Sequence, residues 1–286
     1  MISIRILLLL CATIWGWTFV ATKICLAYLD PYELVGLRFG IGLPVLFLVI
    51  RLKGLRIGFS RREYGSLAVG AVIIGLHFLI QAVALNYTSA TNTGWIIAAT
   101  PLALAGLSFL ILKERIGQKE IVGIAVATFG IIILVSRGDF TSLGWLTSIG
   151  DWLILASAHT WALYTIATRN ISRSRNPLTV TLLVFVPVTV LCLSYIVVAK
   201  DISTIMVLPP DALVALLFLG VLGTSAQWFW QIGIAKIGAT RAGIFLYLEP
   251  IATTMLAIPL LNESFTIVTA CGGLLVMAAV WWAQRK

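Results

Sequence analysis

Glu249 stands immediately before Pro250, deep in an apolar run from Ala239 to Leu261, and no other acid in the chain is so placed. A carboxyl there can take a proton or hold a cation, and a proline beside it frees a carbonyl and can open a helix toward a ligand. Other polar side chains recur at helical spacing in equally apolar sequence. His77 and Gln81 are four apart, as are Gln227 and Gln231, so each pair shares one helix face. Asn92 and Trp95 are three apart, while His159, Trp161 and Tyr164 lie within one run. Trp15 and Trp17 near the start, and Phe245 and Tyr247 just before Glu249, complete the set. Aromatic walls carrying a few hydrogen-bonding groups suit a small amphipathic molecule. His77 and His159 lack a third ligand and the four cysteines sit in apolar runs, so neither a metal site nor a disulfide framework is expected, and no cofactor motif is present.

The elements that must position these groups follow from composition. Of 286 residues, 60% are hydrophobic and 11% charged, against about a quarter charged in an ordinary soluble domain. Disorder, a basic nucleic-acid-binding face and a water-soluble enzyme are excluded on that ground. The expectation is an all-α integral membrane protein whose partners are the lipid bilayer and a small-molecule substrate. Polar punctuation divides the chain into ten spans: Ile4 to Tyr28, Pro31 to Leu52, Tyr64 to Leu85, Ala90 to Leu112, Glu120 to Ser136, Asp151 to Thr168, Leu178 to Ala199, Asp211 to Ala235, Ala239 to Leu261 and Phe265 to Trp282. The first run lacks a small-residue cleavage site and reads as a span rather than a signal peptide.

Basic residues accumulate in short cytoplasmic loops. With the N-terminus inside, ten spans put 16 of the 20 Lys and Arg residues on the cytoplasmic side and only Lys23, Arg137 and Lys200 outside. One span more or fewer would scramble that alternation, so it supports an N-in, C-in topology. Trp145, Trp152, Trp281 and Trp282 fit an interfacial belt.

The halves also repeat. Ala90, Thr91, Gly94, Pro101, Glu114 and Gly123 recur 149 residues later as Ala239, Thr240, Gly243, Pro250, Glu263 and Gly272. Nearer each half's start the offset is 146, and Trp15, Ala21, Thr22, Lys23 and Pro31 match Trp161, Ala167, Thr168, Arg169 and Pro177. The expected units are residues 1–136, an outside linker over 137–149, and residues 150–286. Five spans per copy is an odd number, so the second copy enters the membrane upside down. Inverted repeats with a midplane site are the architecture of alternating-access carriers.

The string Trp15-Gly16-Trp17-Thr18-Phe19-Val20, with Lys23, Pro31 and Gly36-Leu37-Arg38-Phe39, resembles the opening of EamA-type members of the drug/metabolite transporter superfamily. Asn86-Tyr87-Thr88-Ser89-Ala90, Pro101, Lys113-Glu114-Arg115 and Gly123 resemble the end of that family's first repeat, and Glu249-Pro250 with Asn262-Glu263 the end of its second. The second repeat has Val184 where the first has Arg38, and Asn262 where the first has Lys113. The resemblance implies ten helices in two inverted five-helix repeats and a cavity lined mainly by spans 1, 3, 4, 6, 8 and 9. It also implies export of small metabolites, often amino acids, across a prokaryotic inner membrane.

Together these readings point to a secondary transporter and not an enzyme. No Walker-type loop supplies ATP drive. A carrier of hydrophobic cations, with Glu249 as counter-charge, is the alternative within transport; a membrane-embedded lipid-modifying enzyme is the alternative class, for which clustered acids or a nucleophile with its base are missing. Glu249 is a candidate to bind substrate and couple flux to protons, the alternative being a buried carboxyl bonded to a neighbouring helix. Lys23, Arg38, Pro101, Glu114, Pro250 and Glu263 are expected to be structural or gating. For Arg38, outward snorkelling, pairing with Glu33 or Asp30, and holding a substrate carboxylate are all open, but Gly36 and Gly40 beside it favour helix packing. Glu114 and Glu263 are expected to cap helices or pair with basic loops. The cargo and the oligomeric state are not encoded legibly.

Overall fold

A computed structural model describes residues 3–113, 117–139, 148–199, 208–237 and 242–284. Glu114 and Trp145, singled out above, lie outside the described residues. The helices are α1 (Ile4–Cys25), α2 (Pro31–Leu52), α3 (Arg61–Leu85), α4 (Ala90–Ile97), α5 (Thr100–Leu112), α6 (Gln118–Ser136), α7 (Ile149–Ser174), α8 (Pro177–Ala199), α9 (Pro210–Phe218), α10 (Thr224–Ile237), α11 (Leu248–Leu261) and α12 (Ile267–Gln284). A π-helical turn, Leu219–Gly223, joins α9 to α10, and a 3₁₀ turn, Ile244–Tyr247, leads into α11. Among the described residues there is no strand.

Helix starts follow local chemistry. Asp30 and Glu33 form a reciprocal capping box with Pro31 at the first turn of α2, and Ser60 with Glu63 does the same for α3. That second box starts α3 at Arg61, three residues before the expected span. At the other ends, α5, α6 and α11 stop on left-handed Lys113, Arg137 and Asn262, with φ of 54°, 52° and 52°. Lys113 and Asn262 are counterparts in the repeat.

Among the described residues, five helical segments are long and apolar enough to cross a membrane: α1, α2, α3, α8 and the continuous stretch Pro210–Ile237. A sixth span is broken, because Ala90–Ile97 and Thr100–Ile111 meet at 41°. Three shorter apolar helices, Ile121–Ser136, Phe245–Leu261 and Ile267–Ala279, accompany them. The helix at the expected sixth span, α7, is long but carries Asp151, His159, Arg169 and Arg173, which dilutes its apolarity. The result is a multi-pass helical bundle whose exposed side chains include Leu48, Val198, Met255 and Ile267, as lipid contact requires.

Packing joins α6 to α12, α3 to α7, α2 to α8, α1 to α11 and α1 to α10. Small residues set the closest approaches. A Cβ on Gly42 would lie 2.3 Å from the Gly220 carbonyl oxygen, so only glycine lets α2 touch the π turn. A Cβ on Gly16 would lie 2.6 Å from the Glu249 carbonyl oxygen, so α1 seats directly against the start of α11.

Candidate functional site

Glu249 and Pro250 fall in the first turn of α11, straight after the 3₁₀ turn, and not in mid-helix as the sequence suggested. Pro250 is the third residue of α11, so the chain has no amide there to bond back into the 3₁₀ turn. The break still matters, since the chain changes helix type where the carboxyl projects. In the first half the corresponding residues, Thr100 and Pro101, open α5 just after the bend, so both halves break at the same point. Thr253 ties the broken end down: its hydroxyl lies 2.9 Å from the Gly16 carbonyl and 2.8 Å from that of Glu249.

The Glu249 side chain lines a partly open cleft. α1 contributes Trp15, Thr18 and Phe19; α3 contributes His77, Phe78 and Gln81. Arg38 reaches in from α2, Trp161 from α7, Gln227 from α10, Ile97 and Thr100 from the bend, and Leu246 from the 3₁₀ turn. Trp15 and Trp161 meet edge to face at 5.1 Å, and His77 stacks against Trp161 at 5.2 Å. His77 Nδ1 donates to the Ser157 carbonyl at 2.9 Å, which leaves Nε2 as an acceptor in the neutral ring.

Two charges sit in this wall without neutralising each other. Arg38 is 3% exposed and Glu249 5% exposed. The guanidinium lies over the rings of Phe39 and Phe78, 5.0 and 4.7 Å from their centroids, and among the described residues its Nε has no hydrogen-bond acceptor. Trp15 Nε1 is likewise a buried donor without an acceptor. Donors for an anion and an acid for a cation therefore line one cavity.

A separate polar cluster holds the α3–α4 turn at one end of the bundle. Lys23 Nζ donates to the carbonyls of Leu85, at 3.1 Å, and Thr88. The fully buried Asp151 accepts from the Thr88 hydroxyl, from Asn92 Nδ2 at 2.6 Å and from the Ser148 hydroxyl at 2.6 Å. Glu263, from the loop after α11, accepts from the backbone amides of Ala90 and Thr91 at 2.7 and 2.8 Å. At the far end of α3, Arg175 grips Glu63 through two bonds of 2.5 and 2.8 Å.

The EamA-like transporter family matches residues 2–136 and again residues 148–284. The chain belongs to that family. An uncharacterized transporter of Archaeoglobus fulgidus is 28% identical over 286 residues, covering 99% of this chain and 97% of its own. A protein of Escherichia coli named a probable amino-acid metabolite efflux pump is 25% identical over 289 residues, covering 96% and 93%. A solved crystal structure superposes with a TM-score of 0.71 at 18% identity over 98% of each chain, and shares the fold.

In this EamA-like transporter the cavity gathers Trp15, His77, Gln81, Trp161, Gln227 and Glu249 from the residues expected to bind substrate. The others lie elsewhere. Trp17 is 37% exposed beside Phe218. Asn92 is held by Asp151, and Trp95 donates to the Thr254 hydroxyl at 3.1 Å and stacks on Phe265. The His159 ring lies 2.8 Å from the carbonyl of Leu155 on its own helix, away from the cavity. Gln231 and Tyr164 bond each other at 2.8 Å in the core. Phe245 and Tyr247 flank Leu246 outside the lining. Arg38, expected to serve helix packing, instead faces the cavity. Thr18, Phe19, Phe78, Ile97, Thr100 and Leu246 were not anticipated, although Thr100 carried a signal as the repeat counterpart of Glu249.

Proposed function

We propose that this transporter is a secondary carrier that exports small amphipathic metabolites, amino acids above all, through a central cavity opened alternately to each face of a prokaryotic inner membrane. The observation that carries the reading is the cavity's charge arrangement: Arg38 and the Trp15 indole offer donors to a carboxylate, and Glu249 offers an acceptor to an ammonium. Aromatic rings between them suit an apolar side chain. The relatives named as amino-acid metabolite efflux pumps are in keeping with such cargo.

On this reading the chain has ten spans with both termini cytoplasmic, and residues 1–136 and 150–286 are inverted copies. Helix pairing supports it. Exchanging the copies turns the pairing of α3 with α7 into that of α10 with α1, and leaves α2 with α8 and α6 with α12 unchanged. Two separate matches to the family, one per half, point the same way. Rocking of one copy against the other then exposes the cavity to either side. A proton on Glu249 is the natural coupling ion, since a neutral acid releases an ammonium that a carboxylate retains.

A carrier of hydrophobic cations would use the same acid and rings, but Arg38 in the same wall opposes a cationic cargo lacking a carboxylate. Flux in proteoliposomes decides. Efflux of labelled amino acids that varies between two pH values, with little competition from quaternary ammonium compounds, is the expected result. Transport of quaternary ammonium compounds without amino-acid flux would overturn the proposal.

A further inference from the structure

The six residues that mark the repeat include two amides and an acid that meet across the halves. Ala90 and Thr91 open α4, and Ser89 caps only the amide of Asn92, at 2.9 Å. The two preceding N–H groups have no helical acceptor. Glu263 supplies one, with one carboxylate oxygen on each amide. Left-handed Asn262 ends α11 immediately before it and turns the chain off the helix axis. Lys23, already bonded to the Leu85 and Thr88 carbonyls, adds electrostatic attraction to the same carboxylate.

A repeat signature serving only packing would be apolar. Here its acid in the second copy binds its Ala-Thr pair in the first, and in the inverted topology that contact lies on the outer face. We propose that Glu263 on the Ala90 and Thr91 amides is the outer latch of the alternating-access cycle, made when the cavity is shut to the outside and broken when it opens there. Two charge-assisted bonds at a helix N-terminus hold the closed state firmly. Because they lie at the bundle's end, water can replace them when they break, and the latch stays reversible. The latch rests on the two-sided carrier reading but not on any particular cargo.

The test therefore uses accessibility instead of transport. A Thr100→Cys probe in the cavity wall, in a Cys271→Ser background because Cys271 is exposed, is labelled with a membrane-impermeant maleimide from each face of the membrane. Glu263→Gln weakens the carboxylate's grip. Ala90→Pro deletes one of the two amides at a position where proline suits a helix start, and Ser89 before it is already extended at φ −82° and ψ 155°. Each variant is expected to raise labelling from outside on the order of tenfold and to lower it from inside.

Rates within twofold of the parent from both faces, or a parallel rise on both faces as in general loosening, would overturn the latch. Either Glu263→Gln or Ala90→Pro suffices if the other does not reach the membrane. Loss of amino-acid flux in the parent protein would sink the cargo reading and leave this result standing.

Discussion

Arg38→Gln separates binding from stability because its effects on the two should differ in sign. In the folded protein Arg38 is 3% exposed, and among the described residues its guanidinium has no carboxylate partner. Its two ring contacts contribute about 0.5–2 kcal/mol each, whereas desolvating an unpaired charge costs several kcal/mol. Replacing it with a neutral amide of similar reach should leave the melting temperature unchanged or raise it slightly. Substrate binding should go the other way. Losing one partner of a buried charge pair costs about 2–5 kcal/mol, which at about 1.4 kcal/mol per decade is a rise in KM of about 25-fold or more for a zwitterionic amino acid. The decarboxylated amine of the same side chain should bind no worse, since it makes no bond to the guanidinium and is repelled by it. The assay pairs thermal unfolding in detergent with counterflow in proteoliposomes for both compounds. A large fall in melting temperature with equal loss for acid and amine would refute the reasoning and return Arg38 to a packing role.

Three further perturbations have clear outcomes. Glu249→Gln should lower amino-acid flux and flatten its pH dependence; a variant with both intact in a pH-jump flux assay ends the coupling role. Gly42→Ala would put a Cβ 2.3 Å from the Gly220 carbonyl and 2.4 Å from Thr224 Oγ1. It should cost about 1–3 kcal/mol through overpacking, seen as a lower melting temperature even though alanine favours helix. Asp151→Ala strands the Thr88 hydroxyl and the Asn92 amide in a buried site. A loss of about 1–3 kcal/mol per unsatisfied group is expected, with Asp151→Asn recovering part of it in the same unfolding measurement.

The bundle and half the cavity were legible in the sequence because lipid makes polar side chains expensive. His77, Gln81, Gln227 and Glu249 needed a protein-lined space, and the cleft contains all four. The failures have local causes. Gly36 and Gly40 do pack closely, against Cys192, Ile196 and Leu193 of α8, but Arg38 is two residues from each and so points to the opposite side of α2. The same two-residue offset separates Trp17 from Trp15 and His159 from Trp161. Asn92 and Trp95 stand outside the cleft lining, and composition does not reveal the 41° bend after Ile97. That bend confines α4 to the end of the bundle, where Asp151 takes the Asn92 amide. The Gln231 amide donates to the Tyr164 hydroxyl, a pairing that no spacing within one helix announces.

Where Glu263 lies in the chain also sets an order on biogenesis. The ribosome makes Ala90 173 residues before the carboxylate that will bind its amide, which at about 5–20 residues per second is roughly 9–35 s of synthesis. Through that interval the Ala90 and Thr91 amides at the start of α4 must donate to water, until Glu263 arrives to accept from them. A first half made alone should be short-lived in the membrane, and the second half supplied as a separate chain should rescue it.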